Sequence, residues 1–234
     1  MKKILILGII ILTIFLIYLK TIDKKVYYLS LGDEISLGMT QDGYYGKSYT
    51  EYIKEYLKEK NKLEIFVNDY ATIGYHITDI ITDIKNNKEI EESHKTIKNA
   101  LIKSDLITLS IGTNDILSKI NIEKKLTKID YNKLYKNIKE ILKDEEELLK
   151  LIREYCKEDI IMIGIYINTS DEKLSEIIHY ANEQLKELTN KYDVIYVDLY
   201  EIINDENKTS YPSKEEYELI GDAVIDILNN NLLK

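Results

Sequence analysis

The chain has 234 residues, of which 31% are charged and 44% hydrophobic, a composition typical of a globular domain. Its net charge of −9 argues against a general nucleic-acid binder, because neutralising phosphates requires a basic surface. The single cysteine, Cys156, rules out an intrachain disulfide and is interpreted as a buried, inert thiol.

The first 25 residues differ from the rest of the chain and predict a membrane segment. An apolar run over residues 4–19 follows two lysines and would form a helix about 24 Å long, slightly shorter than a bilayer core is thick. Neither a small-residue cleavage site nor a lipoprotein cysteine follows this run. We therefore expect residues 1–25 to be an uncleaved signal anchor in the cell membrane, with a single domain of residues 26–234 on the extracellular side. Secretion after signal cleavage is the alternative.

Beyond residue 25, short apolar runs alternate with longer amphipathic ones. This alternation predicts an α/β fold, a three-layer α/β/α sandwich with a mostly parallel five-stranded sheet, preceded by the N-terminal anchor helix. The predicted strands are residues 26–31, 63–67, 106–111, 160–165 and 194–199. The predicted helices are residues 48–60, 77–84, 96–103, 131–155, 174–191 and 213–228. Ligands of such sheets bind beyond the carboxyl ends of the strands, so functional residues are expected in the loops that follow strands.

Three loops of this kind carry a glycine, although the chain has only nine. The first three predicted strands are followed by Gly32, by Gly74 and by Gly112. Glycine is favoured where the backbone approaches another group closely or adopts a positive φ angle. Three such turns on one edge of a sheet predict a functional site there.

The loop sequences, in this order, resemble the conserved blocks of SGNH/GDSL hydrolases over about residues 26–230. The first block, Gly-Asp-Ser-Leu/Ile, is matched by Gly32-Asp33-Glu34-Ile35 and a downstream Gly38. The second block is matched by Asn68, Ala71 and Gly74, followed by Asp79, and the third, Gly-x-Asn-Asp, by Gly112-Thr113-Asn114-Asp115. The last block, Asp-x-x-His-Pro, aligns with Lys208, Tyr211 and Pro212, the only proline in the chain.

In active members of that family a serine attacks the ester carbonyl, a histidine accepts its proton and an aspartate orients the histidine. The resemblance implies that Gly74 and Asn114 retain the oxyanion hole, and that Asp33 and Asp115 belong to the same pocket. It also implies that Glu34 replaces the serine, Tyr211 the histidine and Lys208 the aspartate. No confident catalytic residue remains at these three positions.

Glu34 has two interpretations. It occupies its own oxyanion hole and makes the turn rigid, or it acts as nucleophile or base with Tyr211 as the acid. A rerouted pair of Ser36 and His76 is a further alternative, although Ser36 is equally well explained as a residue that caps a helix.

Other polar residues are assigned to the surface. His94 and His179 are expected to be solvated, and so is the acidic run of residues 144–147. No pattern of His, Cys, Asp and Glu has metal-ligand spacing, so neither a metal nor a cofactor is predicted.

The sequence therefore predicts a membrane-anchored, SGNH-like pseudoenzyme that binds a small acyl or glycan ligand, or a protein partner, outside the cell. The first alternative is an active esterase or lipase-type acylhydrolase with altered catalytic residues. The second is a structural spacer.

Overall fold

A computed structural model describes residues 24–91, 94–120, 129–203 and 211–232 of the chain. Nearly all of the predicted anchor lies outside these ranges. Within them, no helix is both long enough and apolar enough to cross a membrane.

The centre of the fold is a five-stranded sheet in which every neighbouring pair of strands is parallel. The five strands are β1 (Val26–Gly32), β2 (Leu63–Ala71), β5 (Leu106–Ser110), β6 (Asp159–Ile163) and β7 (Ile195–Val197). Their spatial order is β2-β1-β5-β6-β7. The prediction of a five-stranded parallel sheet is thus confirmed. A separate antiparallel pair, β3 (Glu89–Ile90) with β4 (Lys95–Thr96), was too short for the apolar pattern to indicate.

Helices connect the strands and cover both faces of the sheet. They are α1 (Glu34–Leu37), α2 (Tyr49–Glu59), α3 (Ile77–Lys85), α4 (Ile97–Lys103), α5 (Thr113–Ile120), α6 (Tyr131–Tyr155), α7 (Glu172–Lys191), α8 (Leu199–Ile202) and α9 (Lys214–Ile227), and α9 ends in a π-helical turn, Leu228–Leu232. One core cluster contains apolar residues of α3, α4, α6 and α7, and a second contains those of α2 and α9. Two clusters of this kind are expected when helices pack against opposite faces of one sheet.

The main difference from the prediction concerns β2. This strand continues to Ala71, so Asn68 lies inside the strand and not in the loop after it. Polar residues fit here because β2 is an edge strand, and Asp69 points to solvent while Tyr70 is buried. The apolar run alone ended too early because an edge strand alternates polar and apolar residues.

Cys156 follows α6 directly and is buried, as expected. Its thiol lies 3.8 Å from the carbonyl oxygen of Ser104, and burial raises its pKa. A buried thiol with a raised pKa is a poor nucleophile, which agrees with a structural role.

Candidate functional site

The candidate site lies at the carboxyl edge of the sheet, where β2, β1 and β5 end side by side. Gly32, the last residue of β1, has a φ of +147°, and a β-carbon on it would lie 2.2 Å from the carbonyl oxygen of Ser110. Only glycine fits between these strand ends. The Asp33 N–H donates to the same carbonyl at 3.1 Å, which fixes the start of the loop that carries Glu34.

Asp33 caps α1 and makes Glu34 the first residue of this short helix. Its Oδ1 accepts a hydrogen bond from the Ile35 N–H at 3.0 Å, whereas Oδ2 is buried without a partner among the described residues. Burial raises the pKa of Asp33 well above its usual value. The structural role that the resemblance suggests for Asp33 agrees with this capping contact.

Glu34 and Asn114 are in direct contact at the centre of the site. The Nδ2 group of Asn114 donates to Oε2 of Glu34 at 2.9 Å and to the carbonyl oxygen of Tyr75 at 3.1 Å. Both amide hydrogens are therefore in use. Glu34 is only 7% exposed, so its carboxylate depends on this donor in place of water.

Gly74 lies in the turn after β2, directly before Tyr75, whose carbonyl oxygen accepts from the Asn114 amide. Its φ is +75°, and a β-carbon built there would meet no atom within 4 Å, so the turn needs glycine for its backbone angle and not for lack of space. Among the described residues, no acceptor takes the Gly74 N–H. This N–H remains available to a bound molecule.

Tyr211 is half-buried and lies three residues before the start of α9. Burial raises the pKa of its hydroxyl, and the charge of Glu34 raises it further. The following helix starts as the sequence predicted: the hydroxyl of Ser213 accepts from the Glu216 N–H, and the Glu216 carboxylate accepts from the Ser213 N–H. Lys208, the third replaced position, lies outside the described residues.

A tyrosine that sequence reasoning overlooked also lies within range of Glu34. Tyr45 is 47% exposed, and its pKa is raised by burial and then by the charge of Glu34. Its neighbour Tyr44 is 76% exposed. The only available sequence signal was two adjacent tyrosines in the loop after the first block, a weak one in a chain with 20 tyrosines.

Asp115 is held beside His76, the residue that precedes α3. The Asp115 Oδ2 accepts from the Ile77 N–H at 3.2 Å, and its Oδ1 lies 3.4 Å from His76 Nδ1. Burial raises the pKa of Asp115, against the lowering effect of His76. Asp115 therefore joins the third block to the second and orients the imidazole.

The structure does not join Ser36 to His76 by a hydrogen bond. Ser36 lies inside α1 and is fully buried, and its hydroxyl donates to the Leu31 carbonyl at 3.2 Å and contacts the Tyr49 hydroxyl at 3.2 Å. The suggestion that Ser36 caps a helix was wrong, because Asp33 does so.

Two other histidines are at the surface, as expected. His94 is exposed and its Nδ1 lies 2.7 Å from Oε1 of Glu89, while His179 stacks on Tyr200 with ring centroids 4.2 Å apart.

The interpretation of residues 144–147 as a solvated run was wrong at one position. Glu145 is 0% exposed, and neither carboxyl oxygen has a hydrogen-bond partner among the described residues. A β-carbon on Gly112 would lie 3.1 Å from Glu145 Oε1, so this carboxyl packs beneath the third-block turn. Burial raises the pKa of Glu145 well above its usual value, and Asp115 raises it further. Helical spacing in the sequence indicates this burial, since Glu145 lies four residues from both Ile141 and Leu149.

A cleft of about 350 Å³ opens between α3, α5 and α6, next to the His76–Asp115 pair. It is lined by His76, Thr78, Asp115, Ser118, Lys119, Glu140, Ile141 and Asp144. Across the described ranges, no three or more His, Cys, Asp or Glu side chains are grouped so that they could share a metal ion.

A model of the GDSL-like lipase/acylhydrolase family matches residues 30–215, most of the chain. No curated protein sequence matches it.

Solved structures share the fold at low sequence identity. The lipase Lip_vut3 from a goat rumen metagenome has a TM-score of 0.68 and 20% identity, over 85% of this chain and 95% of its own. The acetylxylan esterase Axe2 from Geobacillus stearothermophilus has a TM-score of 0.60 and 16% identity, over 88% and 94%. A putative GDSL-like lipase from Parabacteroides merdae has a TM-score of 0.66 and 14% identity, over 88% and 97%. At these identities, the likeness shows the fold alone.

Proposed function

We propose that this chain, which belongs to the GDSL-like lipase/acylhydrolase family, is a membrane-tethered pseudoenzyme. It would bind a small acyl or glycan ligand, or a protein partner, outside the cell. The observation that carries this proposal is the 2.9 Å hydrogen bond from Asn114 to Glu34. The amide that the family resemblance assigns to the oxyanion is already bound to a carboxylate.

Electrostatics argue against ester hydrolysis at this position. An oxyanion hole accelerates acyl transfer because preorganised donors stabilise the negative charge that develops on the carbonyl oxygen. Here the charge of Glu34 would repel such an oxygen, and the two amide hydrogens of Asn114 are occupied. Of the two donors that the resemblance assigns to the hole, Gly74 and Asn114, only the Gly74 N–H has no acceptor among the described residues.

Proton transfer also lacks an obvious base. A general base works best when its pKa lies near the operating pH. The pKa of Tyr211 is raised from 10.0 by burial and by Glu34, so its hydroxyl keeps its proton at neutral pH and can act only as a donor. This supports the proposal that Tyr211 does not replace the family's histidine as the proton acceptor.

The membrane tether is proposed from the sequence, on the apolar run within residues 1–25. Flotation with lipid vesicles tests it: the full-length chain should float with the vesicles, and a chain of residues 26–234 should not. Equal flotation of the two would argue against a tether in this segment.

Ester hydrolysis is the direct test of the pseudoenzyme. Full-length protein is assayed with p-nitrophenyl acetate between about pH 5 and pH 9, alongside a fluorophosphonate probe that labels reactive serines. We expect no labelling and the same background rate as in Glu34→Ala. Turnover that disappears in Glu34→Ala or Tyr211→Phe would contradict the proposal.

A triple reversion asks whether the pocket itself is intact. Glu34→Ser combined with Lys208→Asp and Tyr211→His restores the residues that the family uses. Esterase activity in this variant, with none in Glu34→Ser alone, would support a retained pocket over a mere spacer. A triple variant that folds without labelling by the probe would favour the spacer.

A second candidate function is hydrolysis by an altered mechanism. It is favoured by the pairing of His76 with Asp115, which orients an imidazole at the cleft that both residues line. In that case His76→Ala should abolish turnover measured on the wild-type chain. Activity unchanged in His76→Ala would remove this candidate.

A further inference from the structure

Glu145 lies at the base of the candidate site and has no part in the proposed function. It is 0% exposed, and both of its carboxyl oxygens are fully buried without a hydrogen-bond partner among the described residues. A buried polar group without a partner destabilises the fold, so its presence calls for an explanation beyond packing. Burying a charge in the same place would destabilise the fold far more, because no donor replaces the lost water.

The carboxyl group of Glu145 packs beneath the turn that carries Asn114. A β-carbon on Gly112 would lie 3.1 Å from Glu145 Oε1 and 3.3 Å from the side chain of Ile165, so the three groups leave no free space. The Gly112 carbonyl oxygen accepts from the Ile116 N–H at 3.2 Å, which makes this glycine the start of α5. Any movement of the Glu145 carboxyl group therefore acts on the backbone from which α5 and Asn114 project.

The charged groups that act on Glu145 are all acidic. Asp115 lies on α5, Asp144 lies on α6 beside Glu145 itself, and Asp33 precedes α1. No lysine, arginine or histidine of the described residues is among the groups whose charge acts on this carboxyl. A charged Glu145 would thus be without water, without a donor and repelled by its neighbours, so the closed turn favours the neutral acid.

The cleft between α3, α5 and α6 offers a charged Glu145 a route to water. Its lining includes Ile141 and Asp144, which lie four residues and one residue before Glu145 on α6, and Asp115 from α5. A carboxylate turned towards the cleft would approach Asp115, whose Oδ2 accepts from the Ile77 N–H at 3.2 Å. Hydration of Glu145 therefore competes with the packing of the third-block turn above it.

We propose that Glu145 is a pH-sensitive switch for the candidate site. While its carboxyl group is neutral, the turn at residues 112–115 closes over it, and loss of the proton to solvent opens that turn and releases the Asn114 amide from Glu34. The inference goes beyond the proposed function, since it holds whether or not the site hydrolyses an ester.

The direction of the switch follows from where the proton is held more tightly. Burial and then Asp115 raise the pKa of Glu145 well above 4.5 in the closed form, whereas a hydrated carboxyl group in the open form has an ordinary pKa. The closed form is therefore favoured at low pH and is lost as pH rises. Between the two pKa values, the ratio of open to closed form grows by up to about tenfold per pH unit.

Hydrogen exchange of the full-length protein in non-ionic detergent tests the switch, because it detects local opening. The reporter is the peptide of α5 that contains Ile116, followed at labelling times over which β6 stays protected. Between about pH 5 and pH 9, with the intrinsic exchange rate corrected for, protection of this peptide should fall at least about tenfold more in wild type than in Glu145→Gln. Glu145→Leu should behave like Glu145→Gln, since neither side chain can ionise.

Glu147→Gln is the matched control, since it removes a carboxylate from the same helix at a half-exposed position that pairs with Lys85. It should keep the pH dependence of wild type. Protection of the Ile116 peptide that does not fall with pH in wild type, or that falls equally in wild type and Glu145→Gln, would overturn the switch.

The NMR signal of the Asn114 side-chain amide, in protein labelled at asparagine, reports on the hydrogen bond to Glu34. It should shift with pH in wild type and stay at its low-pH position in Glu145→Gln. A signal that moves equally in both proteins would contradict the link between Glu145 and Asn114, and with it the switch.

Discussion

Glu34 and Glu145 are two buried glutamates on either side of the same turn, residues 112–115, but their surroundings differ. Glu34 accepts a hydrogen bond from the Asn114 amide, whereas Glu145 lies beneath Gly112 with no donor among the described residues. A carboxylate with a donor recovers part of the stabilisation that water provided, and one without a donor recovers none. The two glutamates are both buried and differ in the hydrogen bond that the Asn114 amide donates to Glu34.

Replacing Glu145 should have the largest effect on stability. Glu145→Leu removes an unsatisfied buried carboxyl and keeps a similar volume against Ile165 and Gly112. We expect the free energy of unfolding at neutral pH to rise by about 1–3 kcal/mol, the usual cost of an unpaired buried polar group. Glu147→Leu on the same helix is the control, because Glu147 is half-exposed and pairs with Lys85. A loss of stability in Glu145→Leu would indicate that Glu145 has a partner after all.

The pH dependence of stability reports on the buried carboxyl of Glu145. The pKa of Glu145 in the folded protein lies well above its usual 4.5, so the folded state keeps a proton that the unfolded state releases. Its contribution is therefore fully present below about pH 4.5 and is lost as pH rises through the folded pKa, by at most about 1.4 kcal/mol per pH unit. Urea denaturation over that range should show a steeper decline of stability in wild type than in Glu145→Gln. Asp33 adds a decline of the same sign to both proteins, so the difference isolates Glu145.

Replacing Glu146, the next residue, should have the smallest effect on stability, with a pH dependence opposite to that of Glu145. Lys191 and then Tyr192 lower its pKa to about 2 through hydrogen bonds. Its contribution is present above the usual pKa of 4.5 and is lost as pH falls towards 2. Glu146→Gln should therefore cost a little stability at neutral pH, less at high salt, because the pair is at the surface. Proton NMR titration of Glu146 checks the pKa, and a midpoint near 4.5 would contradict the pairing.

Much of the fold could be predicted because apolar runs and capping residues determine it locally. The five strands, the helix Tyr131–Tyr155 and the capping box of Ser213 and Glu216 all followed from such patterns. The family's motifs also identified the turn of Asn114, and three glycines lie at or just after the ends of three neighbouring strands.

The remaining features depend on contacts between distant segments. The burial of Glu145 was missed because the residues next to it in sequence are acidic. Its helical spacing from Ile141 and Leu149 nevertheless indicates a buried position. Ser36 was assigned to a helix cap, but Asp33 accepts from the Ile35 N–H and caps α1, while the Ser36 hydroxyl contacts Tyr49. No local pattern could show that Tyr45 pairs with Met39, two residues after α1, because this bridge is formed by the fold of the loop.

The contact between Glu34 and Asn114 is tested most directly by a double-mutant cycle on the free energy of unfolding, with Glu34→Ala, Asn114→Ala and the double variant at neutral pH. A hydrogen bond to a buried charged group predicts a coupling of about 1.5–3 kcal/mol, because Asn114→Ala leaves the carboxylate without its donor only while Glu34 is present. Costs that add to within about 0.5 kcal/mol would contradict the account, because the amide would then be free to hold an oxyanion.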